Sequence, residues 1–158
     1  MTDATFEDGR EVPVNLGALD GEDLQVLSAL VQDAVFPVTE MRWLAKERRF
    51  AVLVNRFRWE DQPAAEARGR SVERVQSLLV VDHVLGVASQ GVDRRDTGLV
   101  CSLMSVTFDG SDDEGGFVHL TLAGDGGLRL RVEALEVSLK DVTRPYGAPS
   151  GHTPTHPE

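Results

Sequence analysis

The chain has 158 residues, 41% hydrophobic and 27% charged, with a net charge of -10; these values exclude wholesale disorder, a fibrous repeat and a general affinity for long polyanions. Its single cysteine, Cys101, excludes an internal disulfide framework, and no stretch reaches the roughly 20 apolar residues of a membrane-spanning helix. The expected class is one soluble domain, large enough to bury its own core, in a reducing compartment and with no membrane partner.

Residues 1–11 are polar and acidic, with no basic segment leading into an apolar run. They read as a flexible leader without a secretory signal, so the cytoplasm is the expected location. Val12, Val14 and Leu16 alternate with small or polar residues, the period of a short half-buried strand. A helix is expected next, with Asp20 as N-cap, and with Glu22 and Asp23 at the positive end of its dipole. Its apolar stripe is Leu24, Leu27, Leu30, Val31, Ala34 and Val35, and Phe36-Pro37 is where helical geometry becomes unfavourable.

From Val38 the period changes to two, and residues 38–45 and 50–59 read as a hairpin around Lys46 to Arg49. With Ala45 opposite Phe50, one face collects Met41, Trp43, Ala45, Phe50, Val52 and Val54, and Trp43 lies across from Val52. The other face carries Glu40, Arg42, Leu44, Leu53, Asn55, Phe57 and Trp59. Residues 60–70 have no apolar period and contain Pro63 and Gly69, so they read as a mobile loop. Further strands are expected over 71–81, 84–92 and 99–108, with turns at Asp82-His83 and at the acidic 109–116 segment. The last clear hairpin pairs 117–122 with 128–132, and parity selects a three-residue Gly124-Asp125-Gly126 loop that sets Leu122 against Leu128. Residues 133–142 fit either period and lean to strand. The rest, with Pro145, Pro149, Pro154 and Pro157, reads as a disordered tail.

The expected fold is α+β: an N-terminal strand and one amphipathic helix, then a curved antiparallel meander of six or seven strands forming a half-barrel or small barrel. The single domain runs from 12 to 142, between a leader at 1–11 and a tail at 143–158. The runs Asp23 to Val35, Lys46 to Phe50, Asn55 to Glu60 and Gly124 to Leu130 resemble an uncharacterised bacterial family, domain of unknown function family 2948. The resemblance covers residues 12–142 and implies a compact bacterial domain; it carries over no functional residue.

No motif carries a known chemistry. There is no Gly-x-Ser-x-Gly elbow for Ser102, Ser105 or Cys101, and the acidic turn has Glu114 where a calcium loop needs glycine. His152 and His156 stand in the tail without partner ligands, His119 reads as an outward strand residue opposite Arg131, and no metal or cofactor is expected. Charge is uneven. Residues 1–40 hold one basic and nine acidic side chains, residues 41–74 nine and five, and residues 75–158 six and twelve. The basic island centres on Arg42, Arg48, Arg49, Arg56 and Arg58, beside Phe57 and Trp59. Two readings stand: the arginines clamp the helix to the sheet through carboxylates near the helix start, or they form an anion site. The function expected is a noncatalytic, adaptor-like binding module whose basic and aromatic hairpin holds an acidic protein segment or a small anion. The alternative is an enzyme of unrecognised type with a pocket on the curved sheet.

Overall fold

The computed structural model describes residues 12–111 and 113–147. In chain order the elements are β1 (Asn15–Ala18), α1 (Gly21–Leu30), β2 (Ala34–Pro37), β3 (Met41–Leu44), β4 (Arg49–Phe57), α2 (Gln62–Ala67), β5 (Glu73–Val81), β6 (Val84–Gln90), β7 (Val100–Ser111), β8 (Gly115–Leu122), β9 (Gly127–Val132), β10 (Val137–Asp141) and β11 (Tyr146–Gly147). The strands form one antiparallel sheet in the order β1-β10-β5-β4-β2-β7-β8-β9-β6, with β3 joined to β4 and β11 to β5.

Asp82 and His83 carry the chain from β5, third in that order, to β6 at its end. The three Cα–Cα steps from Val81 to Val84 span at most about 11 Å, so the sheet has to bend back on itself for the connection to be made. His83 takes φ +60, which turns the chain away from β5, and the Val84 N–H donates to the Arg48 carbonyl at 2.8 Å. The sheet nevertheless stays open rather than closing into a small barrel. Nor is it a meander, because β6 pairs with β9 and β5 with β10 and β4.

Helix α1 begins as its sequence requires: the Asp20 side chain accepts from the Asp23 N–H at 2.9 Å. Leu24, Leu27 and Val31 enter one buried cluster with Phe36, Val52, Leu79, Leu103 and Leu130. The helix stops at Leu30, well before Phe36-Pro37, because Asp33 adopts φ +65 and its N–H donates to Leu103 O at 2.8 Å. Ala34 and Val35 therefore belong to β2, whose pairing with β7 outweighs the helical period.

Both expected hairpins keep their faces and shift their register by two. Trp43 lies opposite Phe50, not Val52, because Ala45–Glu47 leave the strand as a 3-10 turn closed by Arg48 at φ +53. Trp43 is half-buried, not wholly buried. In the later hairpin Leu120 opposes Leu128, and the Leu122 N–H donates to Gly126 O at 2.9 Å across a turn with Gly124 and Asp125 at positive φ. His119 consequently faces Arg129 rather than Arg131. A shift of two preserves which side chains point inward.

Residues 60–70 are ordered, contrary to the loop expected from their composition. A 3-10 turn over Trp59–Asp61 leads into α2, Gly69 at φ +65 turns the chain away after it, and Ala65 is buried against Phe57 and Val72. At the other end, Thr143 to Gly147 are docked, not disordered: Thr143 Oγ1 accepts from the Gln76 N–H at 3.0 Å, and Tyr146 pairs with Arg74. The leader, His152 and His156 lie outside the described residues. Ending the chain after Val142 is expected to cost about 1–2 kcal/mol, the worth of one or two hydrogen bonds, read from the urea midpoint. An unchanged midpoint would show that β11 contributes nothing.

Candidate functional site

The five hairpin arginines do not form one surface. Arg42 donates to the carbonyls of Thr39 and Met41, Arg48 pairs with Glu133, and Arg49 Nε donates to Asp82 Oδ1 at 2.7 Å. The hydrogen bond and charge of Asp82 hold Arg49 above its ordinary pKa. Arg56 and Arg58 are inside the protein, with 0% and 1% of their surface exposed. Phe57 is buried beside α2 with its ring 5.2 Å from Trp59, whose indole N–H donates to Gln32 O at 2.9 Å. Arg56, Arg58 and Phe57 are thus not available to a partner.

The sequence held a signal for this. Phe50, Val52 and Val54 point inward, and the same period of two continues to Arg56 and Arg58. Arg56 meets Glu60 through paired contacts at 2.8 and 2.9 Å, Asp141 at 3.0 Å and Ser77 Oγ at 3.0 Å. Burial pulls its pKa down, but Glu60 and Asp141 together hold it above the ordinary value. Asp141 also accepts from Ser77 Oγ at 2.6 Å and from the Val14 N–H at 2.8 Å, so it is fully satisfied. Arg58 pairs with Glu73 at 3.0 Å and Asp61 at 3.5 Å, and Arg70 reaches Asp61 at 2.7 Å. The arginines form a clamp as one reading held, but it joins β4 to β5, β10 and the turn before α2. Carboxylates at the start of α1 take no part.

An unpaired arginine lies elsewhere. Met41, Trp43, Phe50, Val87, Ser89, Leu128 and Arg94 line a slot of about 90 Å³, part apolar and part polar, where β3 and β6 approach without pairing. Arg94 makes no hydrogen bond or ion pair among the described residues. Outside the sheet, a second hollow of about 450 Å³ is bordered by His119, Arg129, Thr121, Gln90 and Asp125. The residues that could resemble a hydrolase site are otherwise engaged: Asp82 holds Arg49, and His83 contacts Glu136 at 2.8 Å. Burial pushes the Cys101 thiol up, the opposite of what activates a nucleophile. Among the described residues no group of three or more His, Cys, Asp or Glu is placed to hold a metal ion, and no helix is long and apolar enough to cross a membrane.

Neither a curated protein nor a solved structure matches the chain. A family model does, over residues 14–156, and it spans the clamp, the slot and the outer hollow alike. On that match the chain belongs to the family described as "Protein of unknown function (DUF2948)".

Proposed function

We propose that the protein is a noncatalytic binding module, acting without a cofactor on a soluble partner in the cytoplasm, and that it holds a small apolar carboxylate in the slot between β3 and β6. The anionic ligand expected of the hairpin is kept, and its seat moves from the outer arginines to the aromatic inner face. The observation that supports this most directly is the unpaired Arg94 beside a slot walled by Trp43, Phe50 and Val87, when all five hairpin arginines already have internal partners. A slot of about 90 Å³ takes one branched aliphatic group, since a cavity of about 150 Å³ takes a benzene ring. The curvature of the sheet, read as a half-barrel left unclosed at β6, keeps the slot open to solvent.

Trp43 provides the readout. Titrating 3-methylbutanoate is expected to give a saturable change in tryptophan emission in the millimolar range, the affinity so few atoms support. The change should vanish in Trp43→Phe and weaken about tenfold in Arg94→Gln, as it should for 3-methylbutanol, which lacks the carboxylate. Equal binding of acid and alcohol would remove Arg94 from the site, and no saturation would end the proposal.

A further inference from the structure

Strand β6 ends the sheet. It pairs with β9 on one side, and on the other only Val84 makes a backbone hydrogen bond among the described residues, to Arg48. From Leu85 to Gln90 the main-chain groups facing away from β9 are a ready template for another strand. Successive side chains of any added strand would point to opposite faces of the sheet.

Those two faces hold the two hollows, and the hollows meet at this edge, since Ser89 and Leu128 line both. The inner one is the slot with Trp43, Val87 and Arg94. The outer one presents Arg129 and His119, partners across β8 and β9. Arg129 lies over the Phe117 ring, 4.9 Å from its centroid, a contact that holds the plane of the guanidinium. Its N–H groups meet no acceptor among the described residues. Among the described residues Asp125 is the one carboxylate bordering this hollow, and it stands in the turn before β9 rather than on the sheet.

We propose that the free edge of β6 takes up an extended peptide segment as an added strand, its apolar side chains entering the slot and its alternate, acidic side chains meeting Arg129 and His119. This rests on the slot as a binding site and names the partner as an acidic protein segment. Main-chain hydrogen bonds to β6 supply affinity, and the two hollows supply specificity at alternate positions. A basic segment would be repelled at the slot by Arg94 and on the outer face by Arg129.

The test uses the full chain and an end-blocked seven-residue peptide alternating leucine and glutamate, followed by calorimetry and amide hydrogen exchange. Saturable binding is expected, with amides of Leu85 to Gln90 exchanging about tenfold more slowly in the complex. A leucine-lysine peptide, and the leucine-glutamate peptide with alternate backbone nitrogens methylated, should bind about tenfold or more weakly. Arg129→Gln, an exposed position outside the slot, should weaken the acidic peptide while leaving the 3-methylbutanoate titration unchanged. Binding of the methylated peptide as tight as its parent would overturn strand addition. So would protection of β6 that grows with chain concentration in the absence of peptide, which would assign the edge to a second copy. If 3-methylbutanoate binds and the peptide does not, the edge proposal fails and the slot survives; if neither binds, both fail.

Discussion

Arg56→Ala is expected to destabilise the protein by about 3–5 kcal/mol, the range for breaking a buried ion pair from one side. Arg56 is wholly buried and the Asp141 side chain is 3% exposed, so removing the guanidinium leaves a carboxylate inside the protein without a counter-charge. Asp141 keeps its bonds from Ser77 Oγ and the Val14 N–H, which soften the loss without replacing a charge. Glu60, 29% exposed, can return to water at little cost. The penalty therefore arises chiefly at Asp141. Adding Asp141→Asn to Arg56→Ala should recover more than half of it, because an amide still accepts from Val14 and no charge is left unpaired. Urea unfolding of the two single variants and the double variant closes the cycle. Strictly additive losses would show that the two side chains do not act as a pair.

Gly116→Ala is the second large effect, expected at about 3 kcal/mol, the upper end of what forced overpacking costs. Gly116 lies opposite Gly110 on β7 and Val132 on β9. A Cβ there would stand 2.2 Å from Asp109 O and 2.7 Å from Gly110 Cα. Both are backbone atoms in a paired strand, so no side-chain rotation relieves the contact; β7 and β8 have to separate at their turn. Gly17→Ala serves as the control, since a Cβ on β1 meets nothing within 4 Å and should change stability by no more than about 0.5 kcal/mol. Equal melting temperatures for the two variants would refute the close approach.

The glycines show why only part of the structure was legible beforehand. Gly110, Gly115 and Gly116 were visible as punctuation of an acidic turn, yet their strands run through them, with Gly110 in β7 and Gly115 and Gly116 in β8. Nothing local says that two backbones pass so closely; the pairing does. Residues 60–70 were missed for a related reason. A helix of six residues has room for one buried position, Ala65, and one position makes no period. The outer hollow was equally invisible, because its residues come from β6, β8, β9 and a turn, and only the register places His119 beside Arg129.

What the sequence by itself determined is what short-range physics sets: the capped start of α1 at Asp20, the inward faces of both hairpins and the membership of one family. Period and parity depend on neighbours a few residues apart, and they held even where the register moved by two. Tertiary structure alone decided the rest. It ended α1 early by pairing Asp33 with Leu103, and it sent β6 to the far edge of the sheet. It also turned the most basic stretch inward. The parity of β4 aimed Arg56 at the core, but a buried guanidinium is tolerable only with a partner, and that partner, Asp141, lies 85 positions along the chain. Charge read along a sequence says how many cations a segment carries. Which of them remain free for a partner is settled by carboxylates that arrive only when the chain has folded, and for that reason Arg48, Arg49, Arg56 and Arg58 are paired while Arg94 and Arg129 are not.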